Sequence, residues 1–265
     1  MKRLILIISF LTLCLSIQAQ QVKPDVVNSM GGSSQYSGGY LAFSVGEPVV
    51  GTSVGTNTTL TQGFLQTWKK LSKQIALKLF LEGLYAGSSQ MNQARNATAP
   101  ELGTGIADMI SVELHNASSP YGLAYIYNNT DLHTDGVVNI DDVPGSITGS
   151  YFIVVKHRNS IETWSKLPLD FSSPSDVSYD FSTAASMAFG NNMKQMGTIF
   201  AIYAGDETQD GYVDASDMLA IDNASTIIQK GYYPEDINGD GVVDASDMLI
   251  IDNNSTALIR VKRPE

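Results

Sequence analysis

Apolar residues between positions 75 and 203 fall in short runs that Gly, Pro, Asn and Ser interrupt. The runs are rich in β-branched and aromatic residues, which favour strands over helices. Strands are predicted at 76–84, 109–115, 123–128, 151–158, 177–181 and 197–204. Short strands separated by turn residues over this length predict a β-sandwich, so the chain is expected to be mainly β. Helical periodicity is absent until about residue 206.

The segment before the sandwich has two different compositions. Residues 1–20 carry Lys2 and Arg3, an apolar run at 4–15 and Ala19, which together predict a secretory signal peptide. Residues 21–74 are rich in Gly, Ser and Thr and predict a β-rich leader region with strands at 40–45 and 48–50. The expected location is therefore secreted or at the cell surface. Cys14, in the signal peptide, is the only cysteine, so the mature protein is expected to have no disulfide.

The strongest pattern in the chain is a repeat near its C-terminal end. The segments 210–226 and 240–256 begin thirty residues apart, and they differ only at Tyr212/Val242, Ala220/Ile250 and Ala224/Asn254. Two nearly identical segments at a fixed period predict two copies of one supersecondary unit.

Each copy follows the template of a twelve-residue calcium loop, with Asp at position 12 in place of Glu. Carboxylate, amide and hydroxyl side chains stand at positions 1, 3, 5 and 12, and position 7 offers its main-chain carbonyl. The predicted ligands are Asp206, Thr208, Asp210, Tyr212 and Asp217 in the first loop and Asp236, Asn238, Asp240, Val242 and Asp247 in the second. Thr208 departs from the pattern, because a hydroxyl is a poorer ligand than an amide or a carboxylate. Two Ca²⁺ ions are expected, and Mg²⁺ fits less well because it prefers a rigid octahedron.

The pattern also makes a prediction about how the two loops contact each other. Val213 and Val243 stand at position 8 of their loops, and they are expected to form a short strand pair. A third segment, 131–142, follows the same template, but His133 stands at position 3, where it is a poor calcium ligand. This segment is either a degenerate third loop or an acidic turn between strands, and the turn is favoured.

The tandem repeat resembles the type I dockerin family over residues 205–262. The resemblance implies that one helix follows each loop, in a small module that binds a cohesin-type partner domain. The partner-binding positions of that family correspond here to Ala215, Ser216, Asp222 and Asn223 in the first copy and to Ala245, Ser246, Asp252 and Asn253 in the second. Ser216 and Asn223 are seven residues apart, so they share a helical face. Capping and solvation of the helices remain an alternative role for these residues.

The formal net charge of −11 comes from the repeat, since the residues outside 206–252 carry equal numbers of acids and bases. No basic cluster is present, so nucleic acid is not an expected partner. Beyond the signal peptide, no apolar run is long enough to span a membrane.

Catalytic motifs are absent from the sequence: it has no zinc-binding spacing and no nucleophile motif of the G-x-S-x-G kind. The expected organisation is a signal peptide (1–20), a leader (21–74), a β-sandwich (75–203) and a small α-helical dockerin-like calcium module (204–262).

The predicted function is non-catalytic, Ca²⁺-dependent attachment to a cohesin-like or other extracellular protein domain, in a setting of polysaccharide breakdown. Two alternatives stay open. One is a carbohydrate-binding or adhesive protein whose calcium is only structural, and the other is a small glycoside hydrolase. The side chains that these alternatives would use are the aromatics Trp68, Trp164, Tyr121, Tyr125 and Tyr127, for which core packing is the competing role, and the acids Glu82, Glu101, Glu113, Glu162 and Asp170.

Overall fold

The computed structural model describes residues 72–173 and 175–265 in full, and the strands at 30–36, 39–45, 52–54 and 59–61 by their backbone. The chain divides into two compact units, Met1–Trp68 and Lys69–Glu265. In the first unit, β1 (Met30–Tyr36) pairs antiparallel with β2 (Gly39–Val45), and β3 (Thr52–Val54) pairs with β4 (Thr59–Thr61). The predicted strand at 40–45 is confirmed, whereas the signal peptide and the strand at 48–50 lie outside the described residues.

The second unit contains twelve described strands and two α-helices. The strands are β5 (Ser72–Lys78), β6 (Tyr85–Gly87), β7 (Gln90–Met91), β8 (Ile106–Asn116), β9 (Leu123–His133), β10 (Val137–Pro144), β11 (Ser150–His157), β12 (Ser160–Trp164), β13 (Leu169–Asp170), β14 (Val177–Asp180), β15 (Lys194–Met196) and β16 (Ile199–Ala201). Single-turn 3₁₀ helices lie at Ala185–Met187 and Phe189–Asn191. The helices are α1 (Ala215–Thr226) and α2 (Ala245–Thr256).

Two sheets enclose the main hydrophobic core. One has the order β10-β5-β14, and the other has the order β12-β11-β8-β9 with β13 paired to β11. Alternate residues of β5 and β8, such as Ile75 and Val112, are fully buried in one cluster with Val155 from β11. This alternation is what a sheet requires when only one of its faces meets the core. The second unit is therefore mainly β, and its two sheets share one core.

All six strands predicted in the sandwich have a counterpart, but two end several residues earlier than expected: the last, predicted at 197–204, is only β16 (Ile199–Ala201), and the first is β5. β5 ends at Lys78, although the apolar run continues to Leu84. The backbone beyond β5 takes other partners, since Leu79 N–H donates to Gly136 O (2.9 Å) and Leu81 bridges Ile202. The run is therefore buried but irregular.

The segment 131–142 contains the end of β9, a turn at 134–136 and most of β10, and the two strands belong to different sheets. Gly136 N–H donates to His133 O (2.9 Å), and Asp135 accepts from Val137 N–H (3.1 Å). The interpretation of this segment as a turn is confirmed.

The C-terminal helices pack into the same core as the sheets. Ile221 of α1 and Ile251 of α2 are fully buried, and they belong to one cluster with Ile237 and the strand residues. The two helices also contact each other. The sandwich and the repeat thus form a continuous core, and a domain boundary at residue 203 stays a prediction. None of the described helices reaches the length and apolarity that crossing a membrane would take.

Candidate metal and partner-binding site

The aspartate at position 12 is held in the same way in both loops. Asp217 accepts from the N–H groups of Thr208 and Asp214, both at 3.0 Å. Asp247 accepts from the equivalent Asn238 and Asp244 N–H groups, both at 2.9 Å. Asp214 and Asp244 in turn cap the helices that follow, so each helix begins with a capping box. One carboxylate therefore ties the loop to the first turn of its helix.

The glycine at position 6 turns the backbone in each loop. Gly211 has φ +89° and Gly241 has φ +88°, in the left-handed region that disfavours a side chain. The two glycines meet different neighbours. A Cβ on Gly241 would lie 2.3 Å from Asn96 O, whereas a Cβ on Gly211 would lie 3.2 Å from a Val261 methyl. The second loop is thus packed against the backbone of the sandwich, and the first is less confined.

The aspartates at position 1 are buried, and the charge of Arg158 only partly offsets the burial of Asp236. Asp206 is 2 % exposed and Asp236 is fully buried, and no ion pair among the described residues involves either one. Burial, followed by the nearby Asp217 carboxylate, raises the pKa of Asp206 to about 7. Burial raises the pKa of Asp236 to about 6, although Gly241 N–H donates to it at 2.9 Å. Burial also raises the pKa of Asp247. A bound cation would relieve this unfavourable burial of negative charge.

The predicted ligand at position 5 lies on the open side of each loop. Asp210 and Asp240 are exposed, and each accepts from the N–H two residues on, at 2.9 Å. The first loop borders an open cleft of about 1040 Å³, which Asp206, Asp210 and Tyr212 help to line. An ion can therefore reach this loop from solvent.

The loops supply more than carboxylates, and this matters for the kind of cation they fit. The described part of the chain has no group of three or more His, Cys, Asp or Glu side chains positioned to hold a metal. The ligand set predicted from the sequence would draw its other oxygens from Thr208 or Asn238 and from the carbonyls of Tyr212 and Val242. Such a mixed set of oxygen donors suits Ca²⁺, which accepts carboxylate, amide and carbonyl ligands in flexible geometry.

The predicted pairing of Val213 with Val243 is wrong. Val213 N–H donates to Ile259 O, and Val243 N–H donates to Gln229 O, both at 2.9 Å. Each valine thus pairs with the segment that follows the helix of the other copy. The two copies therefore exchange equivalent contacts, although the two valines do not bond to each other.

Arg158, at the end of β11, anchors the second loop to the sandwich. Its Nε donates to the fully buried Asp108 (3.1 Å), its Nη1 donates to Asp236 O (2.9 Å), and its guanidinium stacks on the Tyr232 ring at 4.6 Å. Burial alone would raise the pKa of Asp108, but contacts with His157, Arg158 and the Tyr232 hydroxyl hold it well below its usual value. Sequence reasoning missed this role, because its partners lie 50 or more residues away.

The structure leaves all the predicted partner-binding residues exposed on α1 and α2. These are Ala215, Ser216, Asp222, Asn223, Ala245, Ser246, Asp252 and Asn253. The serine hydroxyls bond to the helix-capping aspartates at 2.7 and 2.8 Å, so capping is one of their roles. Leu219 and Leu249 lie between these residues on each helix and are 59 % and 60 % exposed. The sequence repeat alone could have indicated them, since both occupy position 14.

Several side chains considered for sugar binding or hydrolysis have structural partners. Trp164 is only 3 % exposed and packs against Phe152, so it offers no flat surface for a sugar. Glu82 bonds Lys194 and Asn254, and Glu113 bonds His115 (2.7 Å) and Lys156 (3.2 Å). Trp68 lies outside the described residues.

Comparisons with known proteins give no family assignment. No protein-family model matches the chain, and no curated protein matches it in sequence. Two chains from solved structures align with it, at 17 % identity and a TM-score of 0.41 and at 18 % identity and a TM-score of 0.39. Each alignment covers 70 % of this chain and 99 % of the other. Both structures are type II cohesin–X–dockerin complexes from Acetivibrio cellulolyticus, one an N-terminal and the other a C-terminal interface mutant. TM-scores below 0.5 do not establish a shared fold, so the fold rests on this chain's own elements.

Proposed function

We propose that the two loops each bind one Ca²⁺ and that the exposed faces of α1 and α2 then dock a partner protein domain, as in a type I dockerin. The proposed setting is extracellular, in the breakdown of polysaccharides. The protein acts by attachment rather than by catalysis.

One observation carries the metal part of the proposal: the same hydrogen-bond frame forms twice, at corresponding positions of both loops. In each loop the position-12 carboxylate accepts from positions 3 and 9, and the position-1 carboxylate accepts from the glycine at position 6. Asp206 and Asp236 are buried as well, which is costly for an unpaired carboxylate. The proposed ligands are the ten residues predicted from the sequence. Loops of this kind in extracellular modules bind Ca²⁺ with dissociation constants on the order of 10⁻⁴ to 10⁻³ M, and sensor loops bind more tightly.

The docking part rests on the two helices. Each presents an exposed serine and asparagine, with an exposed leucine between them. Exposed acids also stand on both helices, at Asp222 and Asp252. The described repeat has one basic residue between 206 and 252, Lys230, so the partner surface is expected to be basic and to hold apolar pockets. The near-identity of the two faces allows a partner to bind in either of two orientations.

A second function is favoured by a separate observation, namely that the repeat shares its core with the sandwich. In that case calcium only stabilises the fold, and the helices dock nothing. Partner capture separates the two functions, whereas calcium binding is common to both.

The metal part is tested by titrating the mature chain with Ca²⁺ in a calorimeter while its circular dichroism is recorded. Two bound ions and a gain in helical signal are expected, and the double variant Asp210→Ala/Asp240→Ala should lose both. Absence of heat and of a dichroism change in the native chain would refute it.

The docking part is tested by capture from the native secretome with and without a chelator. Capture should require Ca²⁺ and should be lost when Ser216, Asn223, Ser246 and Asn253 are all changed to Ala, with calcium binding intact. The matched control is Thr226→Ala/Thr256→Ala, at the far ends of the same helices, which should capture normally. Equal capture by both variants would contradict the docking surface and leave the structural function.

A further inference from the structure

The turn between β11 and β12 lies between the two loops and touches the start of each. Asn159, in this turn, is 1 % exposed. Its main-chain oxygen accepts from the N–H of Gly205, the residue before Asp206, at 2.7 Å. Its side-chain Nδ2 donates to the main-chain oxygens of Pro234 and Asp236, both at 3.0 Å. Asn159 thus contacts the first ligand residue of the second loop and the residue that precedes the first ligand residue of the first loop.

The neighbours of Asn159 hold the turn in place from the sandwich side. His157 is fixed at both ring nitrogens, one near Asp108 (3.0 Å) and the other near Ser160 Oγ (2.9 Å). Arg158 bonds Asp108 (3.1 Å) on one side and Asp236 O (2.9 Å) on the other. The turn is thus bonded to the second loop through both Arg158 and Asn159.

The start of β12, directly after the turn, also holds the segment that leads into the first loop. Ile161 N–H donates to Tyr203 O at 2.9 Å, and Ser160 bridges Ala204. The side chain of Gln209, at position 4 of the loop, donates to Ser160 O at 3.4 Å and also to Asp206 O. The contacts to the first loop are therefore as direct as the contacts to the second loop.

We infer that the β11–β12 turn couples the two loops, with Asn159 as the positioning residue, so that Ca²⁺ in one loop raises the affinity of the other. This inference rests on the proposed function, in which both loops bind Ca²⁺. The reason is conformational. Closing either loop around an ion fixes its position-1 residue, and that fixes the turn against which the other loop must close. The ordering that the first ion imposes is then already present when the second ion binds.

The test compares the affinity of one loop when the other can and cannot bind. Asp210→Ala disables the first loop and Asp240→Ala disables the second; both side chains are exposed, so neither change opens the core. Calorimetric titration of the mature chain with Ca²⁺ should show the second loop weakened about tenfold by Asp210→Ala, a coupling of usual size between sites. In an Asn159→Ala background the same change should alter that affinity less than about twofold.

The factor by which Asp210→Ala weakens the second loop distinguishes a coupling role for Asn159 from a merely structural one. A structural Asn159 would weaken the second loop equally with and without Asp210→Ala, and the tenfold factor would persist. Outer contacts to metal ligands commonly change affinity by about 10- to 100-fold, so Asn159→Ala should also weaken the second loop directly. The contact with the first loop is made by the main-chain oxygen of Asn159, and alanine keeps it. The control is Asn116→Ala, because Asn116 donates to a turn carbonyl, Gly122 O, at 3.1 Å in a hairpin remote from the loops. The control should leave the tenfold factor intact.

Every outcome of these titrations either supports or overturns the coupling between the two loops. If Asn159→Ala does not fold, Asn159→Asp keeps the side-chain size and removes the donor, and the loop variants alone remain decisive. Two ions that bind independently in the native chain overturn the coupling and leave the proposed function standing. No binding at all overturns both.

Discussion

The glycines at position 6 of the two loops have nearly the same local sequence and the same backbone conformation, but they lie against different neighbours. Comparing the same substitution at both positions therefore measures the effect of the neighbours alone. Gly211 and Gly241 have the same left-handed φ, so an alanine at either position meets the same local strain. Only the second meets a main-chain oxygen, that of Asn96 at 2.3 Å, where the first meets a methyl group of Val261 at 3.2 Å. We predict that Gly241→Ala destabilises the protein more than Gly211→Ala.

The magnitudes follow from the two contributions. A left-handed backbone costs a residue with a Cβ about 1–2 kcal/mol, which both variants share. Forcing a methyl group against a packed backbone adds about 1–3 kcal/mol. Gly211→Ala should therefore lose about 1–2 kcal/mol and Gly241→Ala about 2–5 kcal/mol. For a chain of this size each kcal/mol lowers the Tm by about 2–4 °C.

The assay is unfolding by urea and by heat in the presence of chelator, so that metal affinity does not enter. The control is Gly87→Ala, because Gly87 has φ +94° with no atom within 4 Å of the added methyl group, which isolates the backbone strain. The free energy of unfolding of Gly211→Ala should be close to that of the control variant, and that of Gly241→Ala should be well below it. Equal losses for the two loop variants would show that the second loop is not held against residue 96, and the packing argument would fail.

Three further predictions address the charges and the core. Arg158→Ala should cost about 3–5 kcal/mol in urea unfolding, because it leaves the buried Asp108 carboxylate without its cation; a loss below 1 kcal/mol would contradict the anchor. Metal-free protein should lose stability as the pH rises from about 4 to 7, because the pKa values of Asp206 and Asp236 are raised to about 7 and about 6, and the folded chain therefore binds more protons than the unfolded chain. Saturating Ca²⁺ should remove that loss of stability. The measurement is a series of thermal scans of the metal-free protein, and a Tm that does not change from about pH 4 to 7 would contradict the prediction. Trp164→Ala should lower the free energy of unfolding by about 3–5 kcal/mol, as for a buried aromatic residue. Retention of the folded variant on a polysaccharide column should equal that of the native protein, and a specific loss of retention would contradict a purely structural role for Trp164.

The sequence predicted the features that depend on neighbours along the chain. The six sandwich strands and the turn at 131–142 follow from apolar runs and turn residues. The loop frame follows from residues at most twelve apart, so the positions of Asp217 and Asp247 could be inferred from spacing alone.

Contacts between distant segments could not be predicted in this way. The position-8 valines were expected to meet each other, but each bonds the exit of the opposite helix. Arg158 and Asn159 carried no signal, because a polar pair in a hairpin turn is common and its partners lie about 75 residues later. The repeat made the two loops look equivalent, whereas only the second is confined by the sandwich backbone.

The exchange of strand partners between the two copies also sets an order of assembly. The first loop pairs with Ile259 and Val261, which follow the second helix, whereas the second loop pairs with Gln229 and Gly231, which precede it. During synthesis the second loop therefore has its partner strand before it emerges, and the first must wait until residue 261 has left the ribosome. A chain cut after residue 258 would keep the later loop closed and leave the earlier one open.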